Sequence, residues 1–249
     1  MASRNGIRSM VETLMVNRRV ARVIVGFLVL IQVVAGSSVA IAIDCGEEQT
    51  LFARDPNQSS SDAVRDKIFV RDRDLNDECL GRAEAHSTAH MRNTSFDKFA
   101  EAGWYEQWGP SASHLFNAFW EIGIGDTIIC DSSCGPAIAP GDHVIFKVEN
   151  VDGTNRWKFF FDYGANGNYV RLGPSDGTNA NFGHGIPMGE TGRRGGNGTG
   201  ALDAHRDLER KTCESCSYTS WSTNSTFQDN ITNYHRAYQA PDFYKVEHD

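Results

Sequence analysis

The chain has 249 residues and carries 32 Asp and Glu against 24 Lys and Arg, a formal net charge of −8 at pH 7. This length suits one medium domain, and the acidic balance excludes nucleic acid and anionic membrane as partners, since both demand a cationic patch. Arg18, Arg19 and Arg22 precede an uncharged run from Val23 to Ile43 that closes on the small residues Ala40 and Ala42. A basic segment, an apolar segment and an A-x-A site in that order predict a secretory signal helix over 1–42. A transmembrane anchor is the competing reading, because the run reaches the roughly 20 residues that span a bilayer, but the small residues and Gln32 favour cleavage. Cleavage removes five arginines and Glu12 and takes the net charge from −8 to about −12. No further long apolar run follows, so the mature chain is expected to be extracellular and free of membrane.

Cys45, Cys79, Cys130, Cys134, Cys213 and Cys216 all lie beyond the cleavage site. An even count in an exported chain predicts disulfides, most simply Cys45–Cys79, Cys130–Cys134 and Cys213–Cys216. A zinc site built from C-x3-C and C-x2-C lacks a histidine at finger spacing, and a redox C-x-x-C lacks its βαβ context. No metal or other cofactor is expected. From 43 to 77 the sequence is polar and acidic and reads as an N-terminal arm in which Lys67 to Val70 alone looks strand-like. The domain proper is expected over 78–249. It begins with CLGRAEAHSTAHMR, where His86 and His90 share a face of a strand or of a helix. They are either a metal-binding pair or strand histidines held by hydrogen bonds; the glutamate that a zinc-peptidase helix places after its first histidine is absent.

Phe99 to Gly125 holds two strand-like runs joined by turn residues. In the first, Phe99, Glu101, Gly103, Tyr105 and Gln107 alternate with Ala100, Ala102, Trp104, Glu106 and Trp108. In the second, Leu115, Asn117, Phe119 and Glu121 alternate with the apolar set Phe116, Ala118, Trp120 and Ile122. The two predict a hairpin or neighbouring antiparallel strands. HVIFKVENV and RWKFFFDYG, joined by Asp152 to Asn155, predict a second hairpin, and YVRLG continues the meander. Ala201 to Arg210 is the one helix candidate. Short strands at regular spacing make the fold class all-β, an antiparallel β-sandwich of jelly-roll or concanavalin-like type with disulfide-tied loops.

Glu101, Glu121 and Glu190 are the candidate catalytic carboxylates, since paired acids flanked by aromatic residues on a sheet can divide acid and base roles. Trp104, Tyr105, Trp108 and Trp120 are the candidate binding residues, as stacking surfaces for a glycan or a protein. A G-x-S-x-G nucleophile elbow and the phosphate-binding glycine fingerprints are absent. The order FAEAGWYEQWG, HLFNAFWEIG, APGDHVIFKVENV, a hairpin, then GIPMGETGR resembles secreted concanavalin-like sandwiches and, distantly, the eqolisin-type glutamic peptidases. It also resembles exported bacterial proteins sharing the A-H-S-T-A-H and A-E-x-G-W runs, a likeness that adds no activity. In the peptidases a glutamine of a Q-T-G triplet and a later glutamate activate the attacking water. The resemblance, over about residues 96 to 195, puts Glu101 where that glutamine stands and Glu190 where the glutamate stands. It also sets Ala118 to Glu121 on an A-W-Y-E-W run and Gly141–Asp142 on a G-D turn. A carboxylate replaces its donor glutamine only when protonated. Two functions are therefore expected: an extracellular module that binds glycan or protein at an aromatic, acidic concave face, or an acid hydrolase, peptidase or glycosidase, using Glu190 with Glu101 or Glu121.

Overall fold

The computed structural model describes residues 49–55, 60–71, 83–108, 115–125, 127–128, 135–151, 153–194, 200–223, 225–229 and 234–248. The expected signal segment, Cys45, Cys79, Cys130, Cys134 and the Trp108 side chain lie outside the described residues. In chain order the strands are β1 (Gln49–Arg54), β2 (Ala63–Phe69), β3 (Ala83–Arg92), β4 (Lys98–Trp108), β5 (Leu115–Ile124), β6 (Thr127–Ile128), β7 (His143–Asn150), β8 (Arg156–Tyr163), β9 (Val170–Leu172), β10 (Thr178–Asn179), β11 (Ile186–Arg194), β12 (Gly200–Lys211), β13 (Thr219–Ser220), β14 (Ser225–Asp229), β15 (Tyr234–Ala240) and β16 (Phe243–His248). No helix occurs among the described residues. The strands form two antiparallel sheets, one ordered β14-β1-β11-β3-β4-β5-β6. The other is ordered β10-β8-β7-β2-β12-β16-β15, with β13 on β12 and β9 on β8.

The expected all-β antiparallel sandwich is the observed architecture, and alternation along the strands is its cause. In β7 Val144, Phe146 and Val148 point inward and are fully buried. Their cross-strand neighbours on β2 and β8, including Val64, Ile68, Phe159 and Phe161, join them. The seven-stranded sheet answers with Leu51, Ala89, Met91, Ala100, Ala102, Trp104, Ala118, Trp120 and Ile122. Period-two geometry sends one parity of each strand into this core and the other parity away from it. Trp120 stacks on Phe159 at 5.0 Å and so ties β5 to β8 across the interior.

Two expected binding residues are corrected by the same geometry. Trp104 is fully buried and Trp120 is 7% exposed, both on the parity that faces the second sheet, so they are core residues and cannot stack on a ligand. The segment expected as an arm supplies β1 to one sheet and β2 to the interior of the other. Its polar look comes from strands that bury only alternate residues, such as Val64, Asp66 and Ile68. Ala201 to Arg210, expected as a helix, lies in β12. Its four-residue spacing of Ala204 and Leu208 arises from a bulge between Arg206 and Glu209, with Asp207 at φ 52°, which returns Leu208 to the core. The Cys213–Cys216 disulfide follows directly after this strand, as expected.

The hairpin read from Phe99 to Gly125 is β4 paired with β5 in the register Glu101↔Glu121 and Gly103↔Phe119. Gly103 is glycine for a steric reason. A Cβ there would lie 2.1 Å from the Ser87 carbonyl oxygen and 2.6 Å from Thr88 Cγ2. Gly103→Ala is therefore expected to cost about 1–3 kcal/mol, through a forced shift of β3 against β4. A lowered denaturant midpoint at unchanged slope is the result to look for, and an unmoved midpoint would refute the packing argument.

Candidate active site

The face of the seven-stranded sheet turned away from the core carries the other parity. β3 contributes His86, Thr88 and His90, β4 contributes Glu101 and Tyr105, β5 contributes Phe119 and Glu121, β11 contributes Glu190, and β1 contributes Phe52. Register brings them together: Glu190 pairs with Thr88, and His90 pairs with Glu101. His90 Nδ1 lies 2.9 Å from Glu101 Oε2 and 2.7 Å from Glu190 Oε2. The Thr88 hydroxyl donates to Glu101 Oε2 at 3.0 Å, and His86 Nε2 stands 3.4 Å from Glu190 Oε1. Glu101 and Glu190 keep only 6% and 8% of their surface exposed, and His90 keeps 2%. The His90 ring is held by stacking on Phe99 at 5.3 Å and by the edge of Phe52 at 5.7 Å.

Two of the three expected carboxylates therefore meet. Glu121 stands beside them as the cross-strand partner of Glu101 and is half-buried. Tyr105 lies on the same face, where its hydroxyl accepts from Asn117 Nδ2 at 3.0 Å and its ring meets the edge of Phe119 at 5.8 Å. His86 and His90 are strand histidines held by hydrogen bonds. Four residues along a strand is roughly 13 Å, so they do not converge on one point; Glu190 reaches between them. Sequence reasoning placed neither histidine in the site, although their period-two spacing with Thr88 was the available signal.

Burial and charge drive the two carboxyls apart. Burial pushes the Glu101 carboxyl up, and the negative charge of Glu190 adds to it against the pull of His90. Burial works in the same direction on Glu190, but the His90 charge and hydrogen bonds from His86 and His90 outweigh it and hold this carboxyl below the usual range. For His90 burial disfavours the cation, yet Glu190 and Glu101 together push it up to about 9. The native state thus binds a proton more tightly than the unfolded chain, whose histidine titrates near 6.5. This stabilisation is fully present below pH 6.5 and is lost as pH rises through about 9. Melting temperature is expected to fall across that window more steeply in the wild type than in His90→Asn; parallel curves would contradict the assignment.

His90, Glu101 and Glu190 also offer donor atoms within 4.8 Å of one another, a group that could hold a cation. Their contacts have hydrogen-bond lengths, and His90 Nε2 is buried with no hydrogen-bond partner among the described residues, whereas a metal-bound histidine normally donates its second nitrogen to an orienting acceptor. The trio is better described as an ion-paired acid–base cluster. Its two carboxylate oxygens lie no more than 4.8 Å apart, a gap that one water with hydrogen bonds of about 2.8 Å to each would span.

No protein-family model matches the chain, and no curated protein matches it. Solved structures do. Scytalido-glutamic peptidase with a peptide-based transition state analog aligns with TM-score 0.53 at 10% identity over 81% of this chain and 98% of that one. The same peptidase with a transition state analog inhibitor aligns with TM-score 0.53 at 11% identity over the same shares. At such identity the likeness is one of fold, and it bears out the distant resemblance to the glutamic peptidases in architecture.

Proposed function

We propose that the chain is an exported hydrolase that cleaves peptide bonds in acidic surroundings, with Glu190 as general base and Glu101 as general acid. The observation that carries this reading is the buried meeting of the two carboxylates at His90, with environments that push one toward the ionised form and the other toward the protonated form. The fold shared with peptidases that bind transition state analogs supports peptide rather than sugar as substrate. The Cys213–Cys216 disulfide and the signal-like N-terminus support a site of action outside the cell.

The chemistry follows from the two protonation states. Glu190 takes a proton from the bridging water, whose oxygen adds to the scissile carbonyl carbon, while the Glu101 carboxylic acid gives its proton to the carbonyl oxygen. As the tetrahedral diol collapses, Glu190 delivers its proton to the leaving nitrogen. Glu101 recovers a proton from the diol, and a carboxylic acid and an amine are released. Protonation by burial thus supplies the donor that a glutamine would supply at the position of Glu101. Among the rings beside the acids, half-buried Phe99 is the one open to a bound chain, while Phe52, Tyr105 and Phe119 are buried and make the acids' surroundings apolar, so the expected stacking role of Tyr105 is not met.

The test is to incubate the mature chain with an unfolded protein and, separately, with mixed polysaccharides across acidic and neutral pH. Peptide fragments at acid pH are expected. Sugar release without peptide cleavage would replace the substrate class, and capture of either polymer without turnover would leave a binding module in place of the enzyme.

A further inference from the structure

The A-H-S-T-A-H motif is not used by the acid and base roles themselves, yet both its histidines touch the same carboxylate. Along β3 the alternation puts His86, Thr88 and His90 on one face, and the register with β11 sets Glu190 opposite Thr88, midway between the two rings. Glu190 Oε1 meets His86 Nε2 at 3.4 Å and Glu190 Oε2 meets His90 Nδ1 at 2.7 Å, so each oxygen has its own imidazole. Glu101 has an unequal share: its Oε2 meets one imidazole and the neutral Thr88 hydroxyl, and across the strand pair it faces Glu121. A seat is also provided for the outer histidine. Gly192 pairs with His86, and a Cβ on that glycine would lie 2.2 Å from His86 Cε1 and 2.5 Å from Nε2.

Resting on the hydrolase reading, we infer that His86 and His90 are positioning residues that clamp Glu190 from both sides and thereby set the polarity of the pair, Glu190 as base and Glu101 as acid, with Gly192 leaving room for the clamp to close. The asymmetry lies in the contacts themselves. Two potential cations share one carboxylate, while the other is left with one shared donor and a neighbouring acid. Among the described residues, the charged and titratable groups on this face that act on Glu190 are His86 and His90 from β3 and Glu101 from β4, with Glu121 from β5 beyond it. β1 presents Phe52 at the paired position. On the core side of β11, Asp66 and Tyr244 approach at Gly189. None of these replaces the two imidazoles.

The experiment uses the full mature chain labelled with carbon-13 at the glutamate carboxyls, titrated by NMR alongside the pH–rate profile. The variants are His90→Asn and His86→Gln, which keep a nitrogen donor near Nδ1 and Nε2 respectively but remove the charge, and Gly192→Ala, which displaces the His86 ring without removing any titrating group. The Glu190 titration is expected to move up by roughly one to three pH units in His90→Asn, and by less in the other two. The acid limb of the rate profile should move with it. In Glu190→Gln the His90 titration is expected to fall. A Glu190 titration unmoved in the folded variants overturns the clamp even if the wild type hydrolyses peptides. A titration that moves in a wild type without turnover keeps the clamp and removes the hydrolase reading. Should His90→Asn not fold, His86→Gln and Gly192→Ala still decide between these results.

Discussion

Glu190→Gln is expected to lower peptide hydrolysis by about 10²–10⁴-fold while the chain stays folded. The amide is isosteric and still presents an oxygen to an imidazole, so the cluster keeps its shape. It cannot take the proton of the bridging water, so the loss should fall on kcat with little change in KM. Glu101→Gln is the informative contrast. If Glu101 works as a protonated donor, an amide donates in its place at every pH. The amide keeps that hydrogen bond but cannot pass on a proton, so activity should fall by about 10²–10⁴-fold here too, while the decline expected as pH rises through the Glu101 titration should flatten. The sign is set by the two environments: activity needs Glu190 ionised and Glu101 protonated, so the acid limb belongs to Glu190 and the alkaline limb to Glu101. An alkaline limb that survives unchanged in Glu101→Gln would mean that the two carboxyls do not divide the work in this way. Retained activity in Glu190→Gln would end the base assignment.

The β4–β5 and β7–β8 hairpins were legible in the sequence because each pairs two alternating runs across turn residues, and alternation is a direct image of a sheet with one buried face. Glu101 and Glu190 were legible, together with Glu121, as acids among aromatic residues, and the resemblance paired them; alternation alone cannot say which strand lies beside which. The site depends on β11 lying against β3, a pairing of residues 104 apart in sequence at Ser87 and Thr191. For the same reason the histidine motif stayed ambiguous: its meaning comes from a partner strand about a hundred residues away. Trp104 and Trp120 were misread because aromatic residues are equally at home in a core and on a ligand face. Only their parity relative to the second sheet decides, and Glu106, buried on that same parity, blurred it. The bulge in β12 hid a strand by breaking period two at Asp207 and Leu208.

Asp66→Ala is expected to destabilise the fold by about 3–5 kcal/mol, the largest loss of stability among these substitutions. Asp66 and His205 are fully buried between the sheets, and Asp66 Oδ2 is hydrogen-bonded to His205 Nδ1. From His205 Nε2 the chain continues to Thr191 Oγ1 at 2.8 Å and from there to Ser87 Oγ at 3.0 Å. It thus runs from β2 and β12 of one sheet to β11 and β3 of the other, with the Tyr244 ring stacked on His205 at 4.2 Å. Removing the carboxylate leaves a buried imidazole without its partner and opens a void, and no water-accessible rearrangement restores the bond in a fully buried position. Burial pushes the Asp66 carboxyl up, against the attraction of His205, so a charge on Asp66 carries its own desolvation cost. Asp66→Asn, which keeps an acceptor and sheds the charge, should therefore cost much less than the alanine. At about 2–4 °C per kcal/mol for a domain of this size, the alanine variant should melt roughly 6–20 °C below the wild type. Ser175→Ala, at an exposed loop position, is the control and should stay within about 0.5 kcal/mol. The same chain pins Thr191 from the core side next to Glu190 on β11, so loosening it should lower activity only in step with the unfolded fraction. A melting temperature unmoved by Asp66→Ala would mean that apolar packing alone joins the sheets, and that β11 is held in register by its strand neighbours without the polar chain beneath it.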